Sequence, residues 1–155
     1  MSRSGCFVVV SLLVQAAVVS AAAPAPTQTC DRSASSMLVR VAGVRSDKGV
    51  LVAVLYGDKP EEFLKKGGRV ARERAPARTG SVTMCLEAPR PGTYAVAVYH
   101  DENDNGKFDR AWTGLPSEGF GVSNNPRPVL RAPTLAESAI QVWSGHKAVN
   151  IDLRY

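Results

Sequence analysis

From His100 to Asp109 the chain reads His100-Asp101-Glu102-Asn103-Asp104-Asn105-Gly106-Lys107-Phe108-Asp109, with oxygen-bearing side chains at alternate positions, Asp101, Asn103 and Asn105, then Gly106 and Asp109. This spacing suits a hard cation. Ca²⁺ takes six to eight oxygens at about 2.3–2.6 Å, and a tight loop supplies them from positions 1, 3 and 5, from a backbone carbonyl at 7 and, through water, from 9, with glycine at 6 for the sharp turn. Counting Asp101 as 1, the donors are Asp101, Asn103, Asn105, the Lys107 carbonyl and Asp109.

Position 12 departs from the helical calcium loop: it is Trp112 where a bidentate Glu belongs. The loop also follows a β-run, so a strand-mounted site is expected in place of an EF-hand. Glu118 is the candidate for the missing carboxylate, because Gly114 and Pro116 allow the chain to fold back. Glu102 and Asp104 fall on the other side of the alternation and are read as solvent-facing. So few ligand carboxylates imply a weak site, with Kd about 10⁻⁴–10⁻³ M, and Mg²⁺ suits it less because it demands stricter geometry. The competing reading is an Asx-rich turn that binds nothing.

A second chemistry is hydrolysis. His100, Asp101, Glu118 and Ser123 would have to converge at one strand end, as a small secreted hydrolase requires. Ser123 lacks the nucleophile-elbow glycine spacing, so a non-catalytic binding or structural module is the stronger reading. Its surface would draw on His100, Trp112, Phe120, Ser123 and Asn124, facing an envelope or extracellular partner. The competing and stronger reading of Trp112 and Phe120 is ordinary core or loop packing.

The elements that position these residues are strands. Met37–Val44 is rich in branched residues, Val50–Tyr56 is apolar on both faces as a central strand should be, and a four-residue turn, Ser46-Asp47-Lys48-Gly49, predicts a hairpin between them. Asp58 and Glu61 fit a capped short helix through Leu64. Ser81–Glu87 and Thr93–Asp101 alternate; Tyr94, Val96 and Val98 take one face, Ala95, Ala97 and Tyr99 the other. A second hairpin is predicted from Ala139–Trp143 and Lys147–Tyr155. Between Asp101 and that hairpin, Glu102 to Leu135 is a long Gly/Pro/Asn/Ser-rich stretch, of a length compact domains keep for a use. About seven strands predict an all-β, immunoglobulin-like or transthyretin-like antiparallel sandwich with one long loop region.

The 155 residues leave room for one domain, residues 36–155. Residues 1–22 read as a signal peptide: Arg3, an apolar run from Cys6 to Val19 shorter than the about 20 residues of a membrane span, then small residues. Residues 23–35 read as a flexible tail. Export to the periplasm or beyond is therefore expected, with no transmembrane segment in the mature chain. Cleavage removes Cys6 and leaves Cys30 and Cys85, an even pair that reads as a disulfide. The net charge is +5. Much of it lies in Lys65, Lys66, Arg69, Arg72, Arg74 and Arg78, with no aromatic interleaved, which argues against nucleic acid and for a solvated loop.

His100-Asp101-x-Asn103-x-Asn105-Gly106-x-x-Asp109, followed by Gly114-x-Pro116-x-Glu118-Gly119-x-Gly121-x-Ser123-Asn124-Asn125 and preceded by Gly92-Thr93-Tyr94-Ala95, resembles a family of exported bacterial β-rich proteins of unknown function. The resemblance covers roughly residues 37–155. It implies a small secreted or periplasmic β-domain and assigns no activity.

Overall fold

The computed structural model describes Cys30, residues 35–127 and residues 131–155. The expected signal peptide and nearly all of the tail lie outside the described residues. Among the described residues, eight strands form two packed sheets. β4 (Gly80–Ala88), β1 (Ser35–Val44) and β8 (Gly145–Asp152) make the smaller one. The larger runs β3 (Arg69–Pro76), β2 (Val50–Tyr56), β5 (Gly92–Asp101), with β6 (Phe120–Val122) and β7 (Ile140–Val142) sharing the far edge of β5.

The binary pattern accounts for the layers. Met37, Val39 and Val41 of β1 are fully buried and Arg40 between them is exposed, so this sheet has one wet face. β2 and β5 are apolar on both faces because the larger sheet is covered twice. Leu51, Ala53 and Leu55 join Tyr94, Val96 and Val98 in the core between the sheets. On the opposite face Val52, Val54 and Tyr56 join Ala95, Ala97 and Tyr99 beneath Phe63, Leu135 and the partly buried Phe108 and Phe120. The expected division of β5 between its two faces holds.

Both expected hairpins are corrected. β1 and β2 lie in different sheets, and the turn between them is an arch from one layer to the other. Apolar demand decides this: β2 needs neighbours on both edges and cover on both faces, which it finds between β3 and β5. The register of β1 shifts between Ala42 and Val44 as the chain turns across, with Gly43 at φ +77°. β7 and β8 are likewise split, β7 pairing with the start of β5 and β8 running parallel to β1. The sandwich is thus mixed at this one pair where antiparallel pairing was expected.

The basic run is also corrected: Arg69–Pro76 is the edge strand β3, antiparallel to β2, and not a loop. Ala71 and Ala75 turn inward while Arg69, Arg72 and Arg74 stay exposed, an edge whose charges discourage further pairing. Residues 60–64 form turns in place of the expected capped helix, followed by a 3-10 turn at Lys66–Gly68. One short helix was not anticipated, α1 (Leu135–Ser138), with a capping box between Thr134 and Glu137. Cys30 and Cys85 are disulfide-bonded, their Cα atoms 5.5 Å apart, which ties the chain before β1 to β4.

Candidate metal centre

β5 ends in the site. Its last residue, Asp101, is fully buried. The two carboxylate oxygens of Asp101 accept from the backbone N–H of Asn105 (2.9 Å) and of Gly106 (2.8 Å). That wrap requires left-handed backbone at Asp104 (φ +53°) and Gly106 (φ +76°), which Asp tolerates and Gly accepts freely. The remaining odd-numbered side chains then meet on one point. Asn103 Nδ2 and Asn105 Nδ2 both donate to Asp109 Oδ2, at 2.9 and 2.7 Å. The Lys107 N–H donates to Asn105 Oδ1 (2.8 Å).

Glu118 comes to the same place. The His100 N–H donates to the Gly119 carbonyl (2.8 Å), pairing the end of β5 with the lead into β6. Glu118 Oε2 accepts from the Asp109 N–H (3.0 Å), while Glu118 Oε1 is buried without a hydrogen-bond partner. The residue is 5% exposed. Burial pushes its carboxyl above the ordinary range, and the nearby carboxylates of Asp109 and Asp101 push the same way, against the N–H groups of Asp109 and Glu102.

The acids between them are treated differently. Glu102 accepts from Arg45 and from Ser46 Oγ (2.8 Å), and is held down to about 2, chiefly by the Arg45 hydrogen bond. Asp104 is ion-paired with Arg74. Beside it Arg72 donates to the Tyr99 hydroxyl (3.0 Å) and reaches the Gly106 carbonyl (3.5 Å). Among the described residues, Asp101, Asp109 and Glu118 have no ion-pair partner. Glu102 and Asp104 are therefore tethers; Asp104 keeps its expected exposure to solvent, while Glu102 is half-buried. The arginines that hold them come from the first arch and from β3, neither of which stood out as part of a site. The signal was there in Arg72 and Arg74, two residues apart in an alternating run.

A cleft of about 470 Å³ opens here, lined by Arg45, Lys48, Glu102, Asn103, Asp109, Ser117 and Glu118. Among the described residues no three His, Cys, Asp or Glu side chains stand as a ready metal cage. The donor set is of another kind, carboxylates mixed with amide oxygens and a carbonyl. As placed, two amide NH₂ groups occupy the point where a cation would sit. Rotating an amide by 180° exchanges its NH₂ for its oxygen, and the two ends are nearly indistinguishable in shape. An ion must offset the hydrogen bonds that this rotation breaks.

The expected surface residues divide. His100 is fully buried, with Nε2 against the Lys48 carbonyl and Nδ1 against the Tyr155 hydroxyl, both at 2.7 Å. A carbonyl only accepts, so Nε2 carries the proton and the Tyr155 hydroxyl donates to Nδ1 while accepting from the Arg45 N–H. Neither nitrogen is open to a substrate. Ser123 is fully buried, accepting from the Val96 N–H (3.0 Å) and donating to the Ser138 carbonyl. Asn124 is spent on the α1 segment, donating to Ala139 O (2.9 Å). Phe120 packs on Phe108 with ring centroids 5.4 Å apart. His100 and Ser123 are corrected from a binding surface to internal struts, while Phe120 is half-buried and Asn124 stays exposed though bonded to the α1 segment. Trp112 is open, 98% exposed. A Ser–His contact not foreseen from the sequence, Ser36 Oγ to His146 Nδ1 at 2.7 Å, joins β1 to β8, with Ser36 fully buried.

The family described as an uncharacterized protein conserved in bacteria (DUF2141) matches residues 39–151. No curated protein and no solved structure matches the chain at a significant level.

Proposed function

The chain belongs to that uncharacterized bacterial family, and on this premise, which brings no assigned activity, we propose that it is an exported, non-catalytic binding or structural module whose Asp101–Glu118 region is ordered by Ca²⁺. The observation that carries the reading is the sorting of charge: two acids of the loop hold arginines, while Asp101, Asp109 and the buried, half-unpartnered Glu118 hold none. A buried carboxylate oxygen without a partner is costly, and a divalent ion bound through Glu118 Oε1 would offset that cost. The ligands would be Asp101, Asn103, Asn105, the Lys107 carbonyl, Asp109 and Glu118. Export rests on the apolar N-terminal run and on the cysteine pair. An affinity in the extracellular range suits a module that meets Ca²⁺ only outside the cytoplasm.

Thermal melting in EDTA and in excess Ca²⁺ tests this. With a Kd of about 1 mM, about 10 mM Ca²⁺ stabilises by about 1.4 kcal/mol, a rise in Tm of about 5 °C. Asp101→Ala and the milder Asp109→Asn should each abolish the rise. An unchanged melting curve for the wild-type protein in Ca²⁺ sinks the proposal.

A further inference from the structure

Between the two carboxylates Asp109 and Glu118 the chain runs out into a tight turn with an apolar tip. At its base the Ser117 N–H donates to the Asp109 carbonyl (3.1 Å). Further out the Ala111 N–H donates to Leu115 O and the Gly114 N–H to Ala111 O, both at 2.8 Å, and Arg110 Nη1 reaches the Gly114 carbonyl at 3.0 Å. These bonds close the backbone of the turn, and both Trp112 (98% exposed) and Leu115 (62%) are open to water. From Arg110 to Ser117 there is no acidic residue, and Arg110 and Lys107 stand exposed on its flank. We infer that this tip is a membrane-surface anchor, with Trp112 and Leu115 seated at the headgroup–acyl boundary of a bilayer containing anionic lipid and Arg110 and Lys107 facing its phosphates. Neither Trp112 nor Leu115 lines the cleft beside Glu118, and a small ligand needs a concave site. Tryptophan favours the membrane–water interface, and a basic flank complements anionic headgroups. The inference deepens the reading of the molecule as a binding module by naming the partner, and it does not depend on the ion.

The full-length protein, as a bacterial host processes it, carries two tryptophans. Trp143→Phe leaves Trp112 as the only reporter. Trp112→Phe leaves Trp143, which follows Val142 and so lies by the start of β5, at the opposite end of the sandwich from Asp101. With vesicles of phosphatidylglycerol in phosphatidylcholine, Trp112 emission should shift to the blue and become shielded from an aqueous quencher, and Trp143 emission should not. Trp112→Ala should weaken vesicle partitioning by about tenfold or more and leave Tm unchanged. No shift of Trp112 emission at saturating lipid overturns the inference. An equal shift on pure phosphatidylcholine overturns the anionic surface, and a shift that follows protein concentration without lipid assigns the tip to a second copy of the chain. Running each titration in EDTA and in Ca²⁺ separates failure of the anchor from failure of the ion site, which melting reads independently.

Discussion

Asp101 and Glu118 are both buried acids, yet only Asp101 has both oxygens occupied by N–H donors. This makes Glu118 the residue on which the ion reading turns. Its carboxyl is raised by burial, so its contribution to stability is fully present below the ordinary value of 4.5 and is lost as pH rises through the raised value. Glu102 has the opposite sign: held at about 2, it contributes above 4.5 and loses that contribution as pH falls through about 2. Glu118→Gln therefore should melt no lower than the wild type in EDTA at neutral pH, should gain on it as pH rises above 4.5 and through the raised value, and should show no response to Ca²⁺. A variant that melts well below the wild type at neutral pH in EDTA would mean that the carboxylate is already satisfied by the protein. The odd-position donors were legible in the sequence because the loop is local. The arginine tethers were not, since Arg45 stands 57 residues from Glu102 and Arg74 30 residues from Asp104.

At the scale of elements, turn length misled where burial pattern did not. The two-faced strands β2 and β5 could be read directly, because a strand covered on both sides has no polar face to show. The partners of β1 and β7 could not, since a four-residue turn serves an arch as readily as a hairpin. The first arch also bears on the site. Gly49 has φ +63°, and a Cβ there would stand 2.0 Å from the Asp101 carbonyl oxygen and 2.8 Å from Glu102 Cα. The arch thus lies against the root of the loop, an approach open only to glycine. Gly49→Ala should cost about 2–4 kcal/mol, combining left-handed strain with overpacking, and should weaken Ca²⁺ binding because Asp101 must shift. Urea unfolding and calcium titration check both parts. Gly67→Ala, whose Cβ meets nothing within 4 Å, is the control, and an equal effect there would remove the special role of Gly49.

Over the whole molecule, the sandwich separates its constraints. The disulfide belongs to the smaller sheet through β4, and the loop belongs to the larger one. Sequence parity was enough to pair Cys30 with Cys85, since loss of Cys6 with the expected signal peptide would leave only two cysteines. Closing that 55-residue separation should be worth about 4 kcal/mol in the chain-entropy model. Reduction should therefore lower the urea midpoint strongly while Ca²⁺ affinity, measured where the reduced protein is still folded, stays within about twofold, the handbreadth of independent distant sites. Labelling of both cysteines by an alkylating agent without reductant would show that the bond does not form in solution.

β1 sits between β4 and β8, and its parallel partner arrives 110 residues later in the chain, at the Ser36–His146 contact. Until β8 docks, one edge of β1 is an open template of unpaired backbone groups. Loop closure over such a distance is slow. A chain synthesised from its N-terminus thus stays incompletely folded until β8 is free to pair, and a version truncated within β8 would expose a sticky edge rather than lose a dispensable end.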